Sequence, residues 1–187
     1  MPRFKPLAEE NMSETQRKAV QDLENGPRGR MNPHGPNALL LRSPDLMTRT
    51  QMVGEYLRYR CSLPPRLREF AIIVTARQWS AQVEWLEHSP RAIKEGVERS
   101  VVDDLLAGRR PQAMKDDEAA VYRFVTELHE THGVTDATFA AAADRFGEHG
   151  VIDLIGLTGY YTMLAMVLNV AQEPLPSGVA PPLPVTK

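Results

Sequence analysis

The chain has 187 residues, with 22 Lys and Arg against 24 Asp and Glu, a formal net charge of −2 and one cysteine. This length suffices for one domain that buries about 70% of its unfolded surface. The slightly negative net charge argues against nucleic-acid binding, which usually requires a basic surface. Cys61 alone cannot form an internal disulfide, a dithiol redox pair or a four-thiolate zinc site. We therefore expect a cytoplasmic protein, and the first eleven residues show no apolar secretion signal.

Helical periodicity runs along nearly the whole chain and predicts an all-α fold. Ser13 opens a first helix that ends before Gly26, and a Gly- and Pro-rich loop follows. Pro44 and Pro65 mark the first positions of the next two helices. The later predicted helices cover residues 80–88, 91–96 after an interruption at Ser89 and Pro90, 100–107, 115–132, a helix capped by Thr135, and the apolar stretch 151–170.

The stretch from Val151 to Val170 approaches the roughly 20 apolar residues that a bilayer span needs. Polar residues such as Asp153 and Asn169 interrupt it, and no cluster of Lys or Arg flanks it, so we expect no membrane span. A helix that is apolar all round is otherwise buried on every side, in a domain centre or between subunits. Burial between subunits would make the protein a homo-oligomer.

Three segments are predicted from composition. Residues 1–42 form an N-terminal helix and the Gly- and Pro-rich loop, residues 43–172 form the main helical domain, and residues 173–187 form a Pro-rich extended tail. The segments belong to one domain-sized chain, because two independent domains would be short of core.

Glu69 shares a helix face with Ile72 and Ile73. On such an apolar face a carboxylate must be paired with a partner, be protonated or lie at the edge of the face. On the next helix, Glu84 and His88 are four residues apart and lie on one face. If the two helices pack as an antiparallel pair, the three side chains meet in an apolar wall. Such a cluster would separate the pKa values of its members, as proton transfer requires.

Two other interpretations stay open. Glu84 and His88 could be a solvated surface pair or a structural contact between helices. A carboxylate-rich metal site is the other possibility, but two-metal bundles use Glu-x-x-His twice and this chain has no second copy.

The segment RLREFAIIVTARQWSAQVEWLEHSPRAIKEGV, residues 66–97, resembles the carboxymuconolactone decarboxylase family of the alkylhydroperoxidase-D-like superfamily. The resemblance rests on Glu69, Glu84, His88 and Gly96, and it covers residues 43–171. It implies an alkylhydroperoxidase-D-like helical fold and a homo-oligomer, as a dimer, trimer or hexamer. The redox branch of that family carries a C-x-x-C pair where this chain has Ala81 and Glu84, so the resemblance is to the non-redox branch and disfavours peroxidase or disulfide-reductase activity.

The resemblance further implies a lyase that removes CO₂ from a carboxylated lactone in the catabolism of aromatic compounds. The substrate supplies its own electron sink, so no cofactor and no metal are expected. His88 is the candidate general acid/base, Glu84 orients it, and Glu69 is a second proton relay or fixes the imidazole tautomer. Trp85 is expected to line the substrate site.

An acidic substrate also requires a cation, because a guanidinium binds a carboxylate through two parallel hydrogen bonds. The main candidates are Arg30 in the Gly- and Pro-rich loop, Arg42 before the helix of Pro44, and Arg77 after Glu69. The sequence does not choose among them, and Arg28 and Arg66 are further possibilities.

The leading hypothesis is therefore a carboxymuconolactone decarboxylase-like lyase that acts on a small carboxylated lactone or a related enolisable acid. The alternative is a non-catalytic small-ligand-binding or interaction protein on the same fold, and a metal-assisted enzyme is the third option.

Overall fold

A computed structural model describes residues 2–184, and within that range the chain is helical with no strand. The prediction of an all-α fold is confirmed. After a short 3₁₀ turn at Glu9–Asn11, the helices are α1 Glu14–Glu24, α2 Pro36–Leu40, α3 Pro44–Tyr59, α4 Pro65–Gln78, α5 Gln82–Lys94, α6 Arg99–Leu106, α7 Asp116–Thr131 and α8 Asp136–Ala171.

Local sequence signals fix several helix starts. The Ser13 hydroxyl accepts a hydrogen bond from the Gln16 amide while the Gln16 side chain accepts one from the Ser13 amide, which is a capping box. Pro44 and Pro65 occupy the first positions of α3 and α4, where the missing N–H costs nothing. The short helix α2 within the N-terminal region was not predicted.

The predicted interruption at Ser89 and Pro90 is wrong, because α5 runs without a break through Pro90. Proline removes one helical hydrogen bond, but Pro90 is exposed, so water can reach the carbonyl that is left free. The buried side chains of His88 and Ala92 hold the helix against the core on both sides of it. Tertiary packing here outweighs a local helix breaker.

Helix α4 lies at the centre of the fold and packs against α5, α7 and α8. Its residues from Phe70 to Ala76 are all buried. The N-terminal region and the tail join the same core, through Leu23 of α1 and through Leu183. The backbone of Leu183 also exchanges two hydrogen bonds with the Gln82 side chain, each 2.9 Å long.

Helix α8 contains a kink at Gly147, where φ is 67° and ψ is 172°. This point separates the helix capped by Thr135 from the apolar stretch, as the sequence predicted. Asp153 is buried in the apolar half, where it accepts hydrogen bonds from the Tyr56 hydroxyl at 2.9 Å and from the Ser62 amide and hydroxyl at 2.7 Å. These partners explain a charge on an otherwise apolar helix.

The apolar half of α8 is long enough to cross a bilayer by length and composition, but 56% of that window is buried against the rest of the chain. Within a single chain this half is therefore not buried on every side, and of the two predicted placements the one between subunits stays a prediction. One stripe along this half stays exposed, and its members are Ile152, Ile155, Gly156, Gly159, Met166 and Val170. Met163, between Gly159 and Met166 on the same face, is half-buried.

Candidate functional site

Glu69, Glu84 and His88 meet in the interior, as the sequence predicted. The Nδ1 atom of His88 lies 2.6 Å from Oε2 of Glu69, and its Nε2 atom lies 3.3 Å from Oε2 of Glu84. The side chains of His88 and Glu84 are only 2% and 4% exposed, whereas that of Glu69 is 14% exposed. The imidazole is therefore held between two carboxylates, and Glu69 is the most accessible of the three.

A tight turn brings the two helices together. Helices α4 and α5 are separated by residues 79–81, and Ser80 takes a positive φ of 46° that reverses the chain. The Ala81 amide donates to the Ala76 carbonyl at 2.8 Å and closes the turn. Glu84 and His88 then face α4 from one side of α5, because residues four apart stack on a helix.

The site holds a proton at neutral pH. Burial by itself disfavours the imidazolium, but the hydrogen bonds and charges of Glu69 and Glu84 outweigh it and raise the pKa of His88 to about 9. Burial likewise tends to raise the pKa of Glu69, and the hydrogen bond and charge of His88 outweigh it and lower that pKa below its usual value. The ground state is an imidazolium between carboxylates.

Two tyrosines of α8 lie beside this ion cluster. The Tyr161 ring meets the His88 ring edge to face, with centroids 5.1 Å apart and an interplanar angle of 86°. The Tyr160 ring lies 5.3 Å from that of Tyr161. Burial raises the pKa of both hydroxyls, so both phenols stay protonated and can donate hydrogen bonds.

Arginines other than Arg30, Arg42 and Arg77 contribute to the site. The positive charges of Arg58 and Arg91 both help to lower the pKa of Glu69. Arg91 pairs with Glu87 at 2.7 Å, and its Nη1 atom is buried without a partner among the described residues. Arg28 donates a hydrogen bond to the Tyr160 hydroxyl at 3.3 Å.

The structure places Arg30 and Arg42 elsewhere. Both line a cleft of about 1000 Å³ formed by the N-terminal residues together with α1, α2 and Glu173. The Arg42 guanidinium donates to the Ala38 and Lys5 carbonyls. Glu69, Glu84 and His88 are not among the residues that line this cleft.

Arg77 and Trp85 make contacts that hold the helices together. The Nε atom of Arg77 donates to the Leu105 carbonyl at 3.0 Å, and its guanidinium lies against Gly108. Trp85 is 3% exposed and belongs to the main hydrophobic core, and the aromatic ring in contact with His88 is that of Tyr161. Arg66 is paired with Asp117 and Glu118.

A metal ion does not fit between the two carboxylates. Their nearest oxygens lie on opposite nitrogens of one imidazole ring, so the three groups surround the ring and do not converge on a common point. No group of three His, Cys, Asp or Glu in residues 2–184 is arranged to hold a metal.

Among the additional residues, Arg28 was one of the arginines that the sequence offered as a cation, and only Arg91 is connected with the cluster by its spacing. Arg91 follows His88 by three positions on α5, so it shares the face of Glu84 and His88. Tyr160, Tyr161 and Arg28 come from distant segments, and no spacing in the sequence connects them with α5. Only the packing of α8 and the N-terminal loop brings Tyr161 to His88 and Arg28 to Tyr160.

The chain's architecture is that of a known fold. It is similar to a crystal structure described as an alkylhydroperoxidase AhpD core, an uncharacterized peroxidase-related protein from Ralstonia eutropha JMP134. The two share 13% identity with a TM-score of 0.75, over 94% of this chain and 93% of that one. No protein-family model and no curated protein matches the sequence. The predicted alkylhydroperoxidase-D-like fold is confirmed.

Proposed function

We propose that this protein is a carboxymuconolactone decarboxylase-like lyase, which acts on a small carboxylated lactone or a related enolisable acid without a cofactor. The observation that carries the proposal is the protonated His88 held between Glu69 and Glu84. Desolvated acid and base groups with separated pKa values are typical of sites that transfer protons near neutral pH.

The chemistry requires one proton. When the bond between the ring and its carboxylate breaks, CO₂ leaves and the electron pair moves through the conjugated double bond onto the lactone carbonyl oxygen. The carbon next to that carbonyl then takes up a proton, and the carbonyl re-forms. The protein must stabilise the enolate and deliver this proton.

Glu69 is the member of the cluster suited to deliver it. Both ring nitrogens of His88 face carboxylates and the side chain is 2% exposed, so the imidazolium cannot reach a substrate without losing a partner. Glu69 is more exposed and lies 2.6 Å from Nδ1, so it can relay the proton of His88 outward in one concerted transfer, without holding that proton between two steps. Glu84 remains as the counter-ion that keeps His88 protonated.

Peroxide reduction is disfavoured although the structural neighbour is described as peroxidase-related. Reduction of a peroxide by a dithiol consumes two thiols, one that attacks and one that resolves the sulfenic acid. This chain contains a single cysteine, and Cys61 is buried.

The alternative is a non-catalytic small-ligand-binding protein on the same fold. It is favoured by the N-terminal cleft of about 1000 Å³, which is lined by Arg30 and Arg42 but by none of the three clustered residues. Such a protein would bind a small acid without converting it.

The test is a spectrophotometric screen of carboxylated lactones, beginning with 4-carboxymuconolactone, with CO₂ measured in parallel. Because general acid-base groups contribute about 10²- to 10⁴-fold, Glu69→Gln and His88→Ala should each lower kcat within that range. Glu95→Gln, an exposed charge at the end of α5, is the matched control and should retain full activity. Wild-type activity in His88→Ala or Glu84→Gln would refute the catalytic assignment of these residues, and binding without CO₂ release would refute the lyase.

A further inference from the structure

Arg28 reaches from the N-terminal loop into the body of the fold. Its guanidinium lies on the backbone of Gly54 in α3, and a Cβ at that position would overlap both the guanidinium and the Tyr160 hydroxyl. Its Nη2 atom donates to that hydroxyl at 3.3 Å. The absence of a side chain at residue 54 therefore makes room for Arg28 between α3 and α8.

The positive charge of Arg28 has no counter-ion among residues 2–184. Its one side-chain hydrogen bond in that range is to a neutral phenol, and its Nε atom is buried with no partner there. A partly buried guanidinium without an anion is costly, since its hydration is lost and not replaced. The adjacent Nε–H and Nη–H groups of a guanidinium form the fork that a carboxylate accepts in a bidentate pair.

Arg28 is linked to the ion cluster by two aromatic side chains. Its partner Tyr160 packs on Tyr161 at 5.3 Å, and Tyr161 packs on His88 at 5.1 Å. Arg66, by contrast, is neutralised by Asp117 and Glu118, and Arg91 is paired with Glu87. Arg28 therefore carries an unpaired charge two aromatic rings from His88. Arg58, whose charge lowers the pKa of Glu69, also makes no ion pair among residues 2–184, but of the two only Arg28 has a buried guanidinium nitrogen without a partner there.

We propose that Arg28 binds a carboxylate of the substrate, so that the N-terminal loop completes the site formed by Glu69, Glu84 and His88. This inference rests on the proposed function and specifies its substrate-binding cation. The bound carboxylate is one that the reaction retains, because a tight ion pair with the departing carboxylate would stabilise the ground state and slow its loss. A second carboxylate on the lactone is then a determinant of specificity.

Binding of an unreactive analogue tests the assignment. The probe is 5-oxotetrahydrofuran-3-carboxylate, a saturated lactone acid that has no conjugated path for loss of CO₂, and its methyl ester is the uncharged counterpart. By calorimetry, Arg28→Gln should weaken binding of the acid about 10- to 100-fold, as expected for loss of a charge-assisted pair, and leave the ester unchanged. Arg49→Gln, an exposed charge on α3, should leave both affinities at the wild-type value.

A purely structural role for Arg28 predicts a different pattern. If Arg28 only anchors the loop, Arg28→Gln would change acid and ester binding equally, and this outcome would overturn the proposal. Arg28→Lys keeps the charge but loses the fork, so it should restore part of the acid affinity. Tyr160→Phe removes the hydroxyl that orients Arg28 and should cost several-fold in acid affinity while the far-UV circular dichroism stays unchanged.

The two proposals fail in different ways. Acid binding that depends on Arg28, without CO₂ release from any carboxylated lactone, supports the carboxylate site and refutes the lyase. CO₂ release with a KM that Arg28→Gln does not raise supports the lyase and refutes the role of Arg28. If the wild-type protein binds the acid no better than the ester, the carboxylate site is refuted.

Discussion

His88 makes the candidate site a pH-sensitive part of the fold. Its imidazole is almost fully enclosed, and both of its nitrogens face carboxylates, at 2.6 Å and 3.3 Å. The folded state therefore binds a proton that the unfolded chain releases near the ordinary histidine pKa of about 6.5. The proton held by His88 in the folded state can thus be measured without any substrate.

The free energy of unfolding should fall as the pH rises from about 6.5 through 9. The pKa of His88 is raised to about 9 in the folded state, so its contribution is complete below the unfolded pKa and is lost as pH rises through the folded one. Its size is on the order of 3 kcal/mol, because each pH unit between the unfolded and folded pKa values corresponds to about 1.4 kcal/mol. Urea unfolding at several pH values measures it.

The control is His88→Gln, which cannot take up the proton. Tyrosine, lysine and cysteine titrate alike in both proteins, so the difference between the two pH profiles isolates His88. Equal slopes between pH 7 and pH 9 would show that the folded state does not hold the extra proton.

Among the helices, backbone conformation decides where α8 bends. Gly147 takes φ 67° and ψ 172°, a region that residues with a Cβ rarely occupy. Beyond the kink, the apolar half of α8 places Asp153 against Ser62 and Tyr161 against His88. A glycine far from the site thus contributes to its geometry.

Replacing Gly147 with alanine should destabilise the protein by about 1 to 3 kcal/mol, the cost of an unfavourable backbone conformation. The space around the position is open, so the loss would come from the backbone and not from a clash. Thermal unfolding followed by circular dichroism measures it. Gly133→Ala is the matched control, since that glycine also has open surroundings but no positive φ, and its stability should stay within about 1 kcal/mol of wild type.

For the molecule as a whole, the exposed apolar stripe of α8 is the main surface without a partner in the described chain. Ile152 and Val170 are 65% and 58% exposed at the two ends of this face, within which Met163 is half-buried. Exposed apolar residues arranged contiguously are typical of protein interfaces, whereas scattered ones are not. We expect a second copy of the chain to cover this face, in agreement with the homo-oligomer that the sequence pattern indicates.

Light scattering after size exclusion should give a mass of at least two chains for the wild type. Ile152→Glu combined with Ile155→Glu should shift the mass toward a single folded chain, because charges on a dry interface lose their hydration. Val179→Glu, an exposed apolar position in the tail, should keep the wild-type mass. A wild-type protein that is a folded monomer at all concentrations would contradict the expectation.

Local signals in the chain were enough to predict the helices and the centre of the site. The 3.6-residue periodicity, the caps at Ser13 and Thr135 and the prolines at helix starts are such signals, and the fold follows them except at Pro90 and α2. The four-residue spacing of Glu84 and His88, with Glu69 one helix earlier, predicted that the three side chains meet if α4 and α5 pack as an antiparallel pair, and it left a solvated surface pair open. The short turn between the two helices brings about that packing.

Packing between segments that are distant in the sequence determines which groups surround that cluster. Arg28 and Tyr160 are 132 residues apart in the chain, and they meet because the N-terminal loop folds over α3 where Gly54 leaves room. The sequence offered five arginines as candidate cations and did not choose among them: Arg28, Arg30, Arg42, Arg66 and Arg77. Arg30 and Arg42 line a different cleft, Arg66 is paired with Asp117 and Glu118, and Arg77 is bonded to the Leu105 carbonyl. Charge shows which residues could bind an acid, but contacts between distant segments determine which of them reach the site and which are already paired.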